Sequence, residues 1–129
     1  MTVFELTHTV ISEDLDDLMH VNNVRYVQWV QDIAMAHWEA ATTPLQQHDN
    51  IWVLVSHHID YKAAAKLNDE IHLKTYVTRS EGVTSTRLVE IYLKGTKRLI
   101  VKSETKWCLL DALTKKPKRI TAEIVDVFR

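Results

Sequence analysis

Glu13-Asp14-Leu15-Asp16-Asp17-Leu18-Met19-His20-Val21-Asn22-Asn23-Val24-Arg25-Tyr26-Val27-Gln28-Trp29 changes character part-way. Up to Asn23 it is dense in Asp and Asn, whose short polar side chains bond back to the backbone and favour turns and helix starts. From about Asn23 to Ala41, Arg25, Gln28, Asp32 and Glu39 recur at helical spacing, while Tyr26, Val27, Val30, Ile33, Ala34, Trp38 and Ala41 cover the other faces. A loop therefore leads into a helix over residues 23–41. Only a narrow stripe of that helix is polar, so it must be wrapped by other elements rather than laid on a surface. At about 1.5 Å per residue it is ~28 Å long.

Upstream, residues 3–11 pattern as a strand. Downstream of Pro44 the chain turns to segments rich in Val, Ile, Thr, Tyr and Trp, which read as strands at 51–62, 70–80, 83–94 and 98–111. In the last of these Leu99, Val101, Ser103, Thr105, Trp107 and Leu109 share one face, opposite Lys102, Glu104 and Lys106. Gly82 and Gly95 fall between adjacent strand patterns, where tight hairpin connections need positive φ. Ile124, Val127 and Phe128 suggest a short helical cap after Pro117. The order of strand, long helix and meander predicts an α+β domain over residues 1–129, with an antiparallel sheet of about five strands curved around the helix.

With 129 residues, 46% of them apolar and 26% charged, the composition is that of a soluble globular domain. A net charge of −1 with scattered Lys and Arg excludes the broad basic field that a nucleic-acid partner requires. The run Lys115-Lys116-Pro117-Lys118-Arg119 reads as a solvated loop. The single cysteine, Cys108, rules out an intrachain disulfide, sits in a strand pattern and is expected to be an inert buried thiol. The start of the sequence lacks signal-peptide character, and no apolar run approaches the roughly 18 residues that span a bilayer, so a cytoplasmic protein without membrane attachment is expected.

Most chemical constellations are missing. His57 and His58, adjacent in a strand, point to opposite faces, and no histidine or cysteine spacing suits a metal. Two glycines make neither a phosphate loop nor a dinucleotide fingerprint, and no G-x-S-x-G surrounds a serine. Neither a metal nor a cofactor is expected.

The opening stretch, read as D-x-D, then H-V-N-N, two residues and a tyrosine leading into the helix, resembles the signature of hotdog-fold thioesterases of the 4-hydroxybenzoyl-CoA thioesterase-like superfamily. H-V-N-N-V-R-Y is also similar to plant acyl-ACP thioesterases. Ile59-Asp60-Tyr61-Lys62-Ala63-Ala64 and Asn68-Asp69-Glu70-Ile71 resemble the second strand of the fold and the turn after it. The resemblance implies hydrolysis of an acyl-CoA or acyl-ACP thioester and assembly as a homodimer or homotetramer, with the site at the subunit boundary.

Such hydrolysis needs a base or nucleophile, a group that polarises the carbonyl and a water-poor acyl pocket. By resemblance, Asp16, ten residues before Tyr26, takes the catalytic aspartate's place, and the oxyanion-binding amide falls near Asn23. Asp14 and Asp17 would take that role if the register shifted. His20 matches a histidine of the plant enzymes, which implies a catalytic role in positioning substrate or sharing protons, with a loop-to-helix hydrogen bond as the alternative; their asparagine two residues earlier is here Leu18 and their glutamate and cysteine are here Ala64 and Ala65. Asn22 and Asn23 are first of all N-cap candidates, and secondarily candidates to orient a water or bind the thioester substrate. Tyr26, Trp29, Trp52 and Tyr61 are candidates to line the substrate site, and Lys62, Lys66 and Arg87 to meet coenzyme A phosphates.

Two other functions share this scaffold. Hotdog hydratases place aspartate five residues before histidine; the spacings to His20 here are six from Asp14, four from Asp16 and three from Asp17, and none fits. A non-catalytic acyl-thioester binder differs only in its site.

Overall fold

A computed structural model describes residues 1–129. β1 (Phe4–Thr9) runs through a 3₁₀ turn at Ser12–Asp14 into helix α1 (Asn23–Ala41). A short helix α2 (Pro44–Asp49) follows, then β2 (Asn50–Tyr61), β3 (Glu70–Glu81), β4 (Thr84–Leu93), β5 (Leu99–Asp111) and helix α3 (Ala122–Asp126). The strands form one antiparallel sheet in the order β1-β3-β4-β5-β2, which leaves β1 and β2 as its edges.

Alternation along the strands builds the concave face that meets α1. Ile71, Leu73 and Thr75 of β3, and Ser85, Arg87, Val89 and Ile91 of β4, are buried at every second position. Val30 and Ile33 of α1 join Ile71, Val89, Ile91 and Val101 in the main core. A second core forms near the far end of the helix, where Trp38 meets Leu109, Ile120, Ile124 and Phe128. The predicted cap is thus present, with Ile124 and Phe128 inward and Val127 half-buried. Gly82, at φ +63°, makes the β3–β4 turn.

Three local expectations need correction. The alternation in β5 holds from Val101 to Thr105 and returns at Leu109, but Ile100 is buried beside Val101, and Leu99 and Trp107 are only half-buried. A register shift in the β4–β5 ladder between Ile91 and Tyr92 places two consecutive residues inward. Cys108 is half-buried rather than enclosed. Helix α2, absent from the sequence reading, starts with a capping box: Thr43 Oγ1 accepts from the Gln46 N–H at 3.2 Å, and Gln46 Oε1 accepts from the Thr43 N–H at 2.9 Å.

The start of α1 is tied to the β2–β3 connection at Ala65. The Ala65 N–H donates to the Tyr26 hydroxyl at 2.9 Å, and the Ala65 carbonyl accepts from the Val21 N–H at 2.9 Å. Tyr26 and Ala65 are 1% and 0% exposed. Tyr26→Phe strips a buried amide of its only acceptor. It should lower the unfolding free energy by about 1–3 kcal/mol at unchanged m-value, read from urea titration.

Candidate active site

The acidic loop is held by its own side chains. Asn22 caps α1, its Oδ1 accepting from the Val24 N–H at 3.1 Å. The Arg25 N–H donates to the Asn22 carbonyl at 2.8 Å, whereas the Asn23 N–H bonds to nothing in the chain. That free amide sits at the positive end of a 19-residue helix, where negative charge is stabilised.

The three aspartates separate sharply. Asp14 is 4% exposed; its Oδ2 accepts from the Ile11 N–H at 3.0 Å and lies 3.0 Å from His8 Nε2, and its Oδ1 lies 3.5 Å from Arg25 Nε. Its side chain therefore braces β1, the loop and the helix against one another. Asp17 is exposed. Asp16 is partly exposed, and its Oδ1 accepts from the Leu18 N–H at 2.9 Å and the His20 N–H at 3.2 Å, while Oδ2 has no partner in the chain. The His20 carbonyl accepts from the Asp16 N–H at 2.8 Å and Met19 takes φ 62°, so a closed turn fixes this carboxylate.

Tyr26, Trp29 and Tyr61 cluster beneath the loop, with ring centroids 5.5 Å apart for Tyr26–Trp29 and 5.9 Å for Tyr26–Tyr61. Burial pushes the Tyr26 phenol up; the Ala65 hydrogen bond opposes this, and the Asp69 and Asp16 carboxylates add to it. Tyr61 is 43% exposed beside the site, whereas Tyr26 and Trp29 are buried. His20 is partly exposed and its backbone bridges Lys66, and Asn23 is exposed at the surface.

A cavity of about 340 Å³ lies elsewhere, between the C-terminal half of α1 and the sheet. Trp38, Trp52, Trp107 and Phe128 form its apolar walls, and Ser85 and Arg87 reach it from β4. Trp52 therefore lies apart from Tyr26 and Trp29. Arg87 is 5% exposed and cannot be a surface contact for a phosphate, because its strand position points into the core. Lys62 and Lys66 are exposed.

Sequence reading missed the partner of Arg87. Arg87 Nη1 donates to His37 Nδ1 at 2.9 Å and to Thr75 Oγ1 at 3.0 Å. A guanidinium only donates, so Nδ1 must accept and the ring proton sits on Nε2, which is buried without a partner. The signal was a histidine on the apolar face of a helix, indistinguishable by spacing from core.

The family model for the acyl-ACP thioesterase N-terminal domain matches residues 1–128. The chain belongs to this family. Slr0204 of Synechocystis, described as a 1,4-dihydroxy-2-naphthoyl-CoA thioesterase, superposes with a TM-score of 0.85 at 17% identity over 98% of this chain and 96% of its own. The probable thioesterase YbaW of Escherichia coli gives 0.85 at 21% identity, covering 95% and 94%. The 12:0-ACP thioesterase of Umbellularia californica gives 0.83 at 16% identity, covering 98% of this chain and 51% of that one. No curated protein sequence matches. The hotdog fold expected from the motif is thereby established, and this thioesterase-family domain carries its acidic loop at the start of the enclosed helix.

Burial, and secondarily the Arg87 charge, hold His37 down at about 4. A base depressed in the folded state contributes stability that is complete above the unfolded value near 6.5 and is lost as pH falls towards 4. Between pH 7 and pH 5, wild type should lose on the order of 1–2 kcal/mol more unfolding free energy than His37→Gln, measured by urea titration at each pH.

Proposed function

We propose that this domain hydrolyses an acyl thioester, carried on coenzyme A or acyl carrier protein, to the free acid and the thiol. The observation that carries this reading is the Asp16 carboxylate, with one oxygen locked by two loop amides and the other free, on the loop that ends at the unpartnered Asn23 N–H. As general base, Asp16 takes a proton from water, and the hydroxide adds to the thioester carbonyl. The oxyanion accepts from the Asn23 N–H. Collapse breaks the C–S bond, and the departing thiolate takes up the proton from Asp16. As nucleophile, Asp16 would attack directly and its acyl anhydride would then be hydrolysed. His20 orients the thioester, Asn22 holds the helix start, and Tyr61 flanks the substrate. Tyr26 and Trp29 support that pocket from within the core.

The structure makes the catalytic test cleaner, because Asp16→Asn keeps an oxygen to accept from Leu18 and His20 while removing the base. Turnover of acyl-CoA should fall about 10²–10⁴-fold with melting temperature nearly unchanged. Asp17→Asn should cost far less, and Asp14→Asn should act chiefly on stability through the brace to His8 and Arg25. Near wild-type thiol release by Asp16→Asn would refute the assignment. A parent that binds acyl-CoA and hydrolyses none would instead be an acyl-thioester binder.

Assembly belongs to the same reading. In one chain Asn23 is open to water, and β2 is a 12-residue edge strand with Val53 and Val55 exposed. Such an edge is a template for pairing, and a second copy would give the site the water-poor cover that hydrolysis needs. We therefore expect a homodimer, or a homotetramer built from it, with sites at the subunit boundary. Sedimentation at micromolar concentration checks this; a species of single-chain mass alone would contradict it.

A further inference from the structure

Arg87 is a buried cation without an anion. Of its guanidinium nitrogens only Nη1 is bonded within the chain, to a neutral imidazole and a hydroxyl, and its nearest electron-rich face is the Phe128 ring, 5.1 Å away. No Asp or Glu lines the cavity that Arg87 reaches. Burial lowers the Arg87 pKa only to about 10, so it keeps its charge at neutral pH. Buried charges in proteins are ordinarily paired, because desolvation otherwise costs several kcal/mol. A cation–π contact of about 2 kcal/mol offsets only part of this. A second polar atom is also unpaired in the same cavity wall: Asn50 Oδ1 is buried with no partner, although Asn50 Nδ2 donates to the Gln46 carbonyl at 2.8 Å.

We propose that the cavity between α1 and the sheet binds an apolar ligand through its carboxylate, with the free Nε and Nη2 of Arg87 as donors and Trp38, Trp52 and Trp107 enclosing the hydrocarbon part. The planar guanidinium fork matches a carboxylate, which accepts two parallel hydrogen bonds from it. The volume of about 340 Å³ is within the range of small-ligand pockets. His37 keeps the fork in place: its Nδ1 and Thr75 Oγ1 fix Nη1 and leave the rest of the guanidinium to the cavity. Two sources supply the same chemistry, a free fatty acid or the far carboxylate of a dicarboxylic acyl thioester. The site goes beyond the hydrolytic reading and does not depend on Asp16.

Three of the four tryptophans line the cavity, so their fluorescence reports occupancy without any turnover. Titrating the full chain with octanoate and with octanol compares charge at one chain length. Octanoate should bind at least about tenfold tighter in wild type, the size of hydrogen bonds to a charged group. Arg87→Met should abolish that preference and leave octanol binding in place. Ala34→Phe keeps the arginine but fills the cavity, and should abolish both signals. Octanedioyl-CoA that displaces octanoate, where octanoyl-CoA does not, identifies the thioester source; displacement by neither identifies the free acid. Equal binding of octanoate and octanol in wild type, no binding of octanoate, or a carboxylate preference that survives Arg87→Met would overturn the proposal. The titrations work equally in Asp16→Asn, so failure of the hydrolytic mechanism and failure of this site are separately visible.

Discussion

Everything near the acidic loop depends on how the start of α1 is pinned to Ala65. The Tyr26 hydroxyl and the Val21 amide satisfy both backbone groups of that residue, each at 2.9 Å. Ala65 lies in the connection between β2 and β3, so the pair of bonds couples the helix to the sheet at the end where Asp16 and Asn23 sit. A buried amide and carbonyl without these partners would be costly, which makes the register between loop and sheet hard to shift. Asp14 adds a second tie through Ile11, His8 and Arg25, and Asp16 then needs only the short turn to His20 to fix its carboxylate.

The same enclosed helix divides the molecule into two chemically different ends. At its N-terminus the side chains are polar and the carboxylate is open to solvent on one oxygen. Toward its C-terminus the helix and sheet separate enough to leave a cavity walled by indoles, into which β4 sends an arginine. Histidine at position 37 is held neutral by burial and by that arginine, so a cation and an imidazole coexist there without mutual repulsion. An ordinary core would place Val or Leu at positions such as 37, 75 and 87. The polar choice makes little sense for stability alone, since buried ionic groups seldom improve on well-packed apolar ones.

Much of the architecture was legible from local pattern. Helical periodicity over residues 23–41 marked α1, and the four strand patterns after Pro44 matched β2 to β5 to within a residue or two at each end. The exceptions have local causes: a register shift turned Ile100 inward against strict alternation, and α2 was hidden in a six-residue segment too short for periodicity. For the loop, the resemblance of its motif singled out Asp16, His20 and Asn23, and the local preference of Asn for helix starts marked Asn22 and Asn23 as caps, because both signals are carried by contiguous residues.

What the sequence by itself determined is therefore what nearest neighbours along the chain decide: the loop, the cap, the long apolar helix and the alternating strands. Only the tertiary structure gave Asp14 its bracing role, since nothing in the acidic run says that His8 and Arg25 fold back onto that carboxylate and not onto Asp16. It likewise took Arg87 from the surface to the core and set it against His37, fifty residues away in sequence. Contacts of that kind depend on sheet register and on which face of a helix meets which strand, and no spacing rule along one chain carries that information.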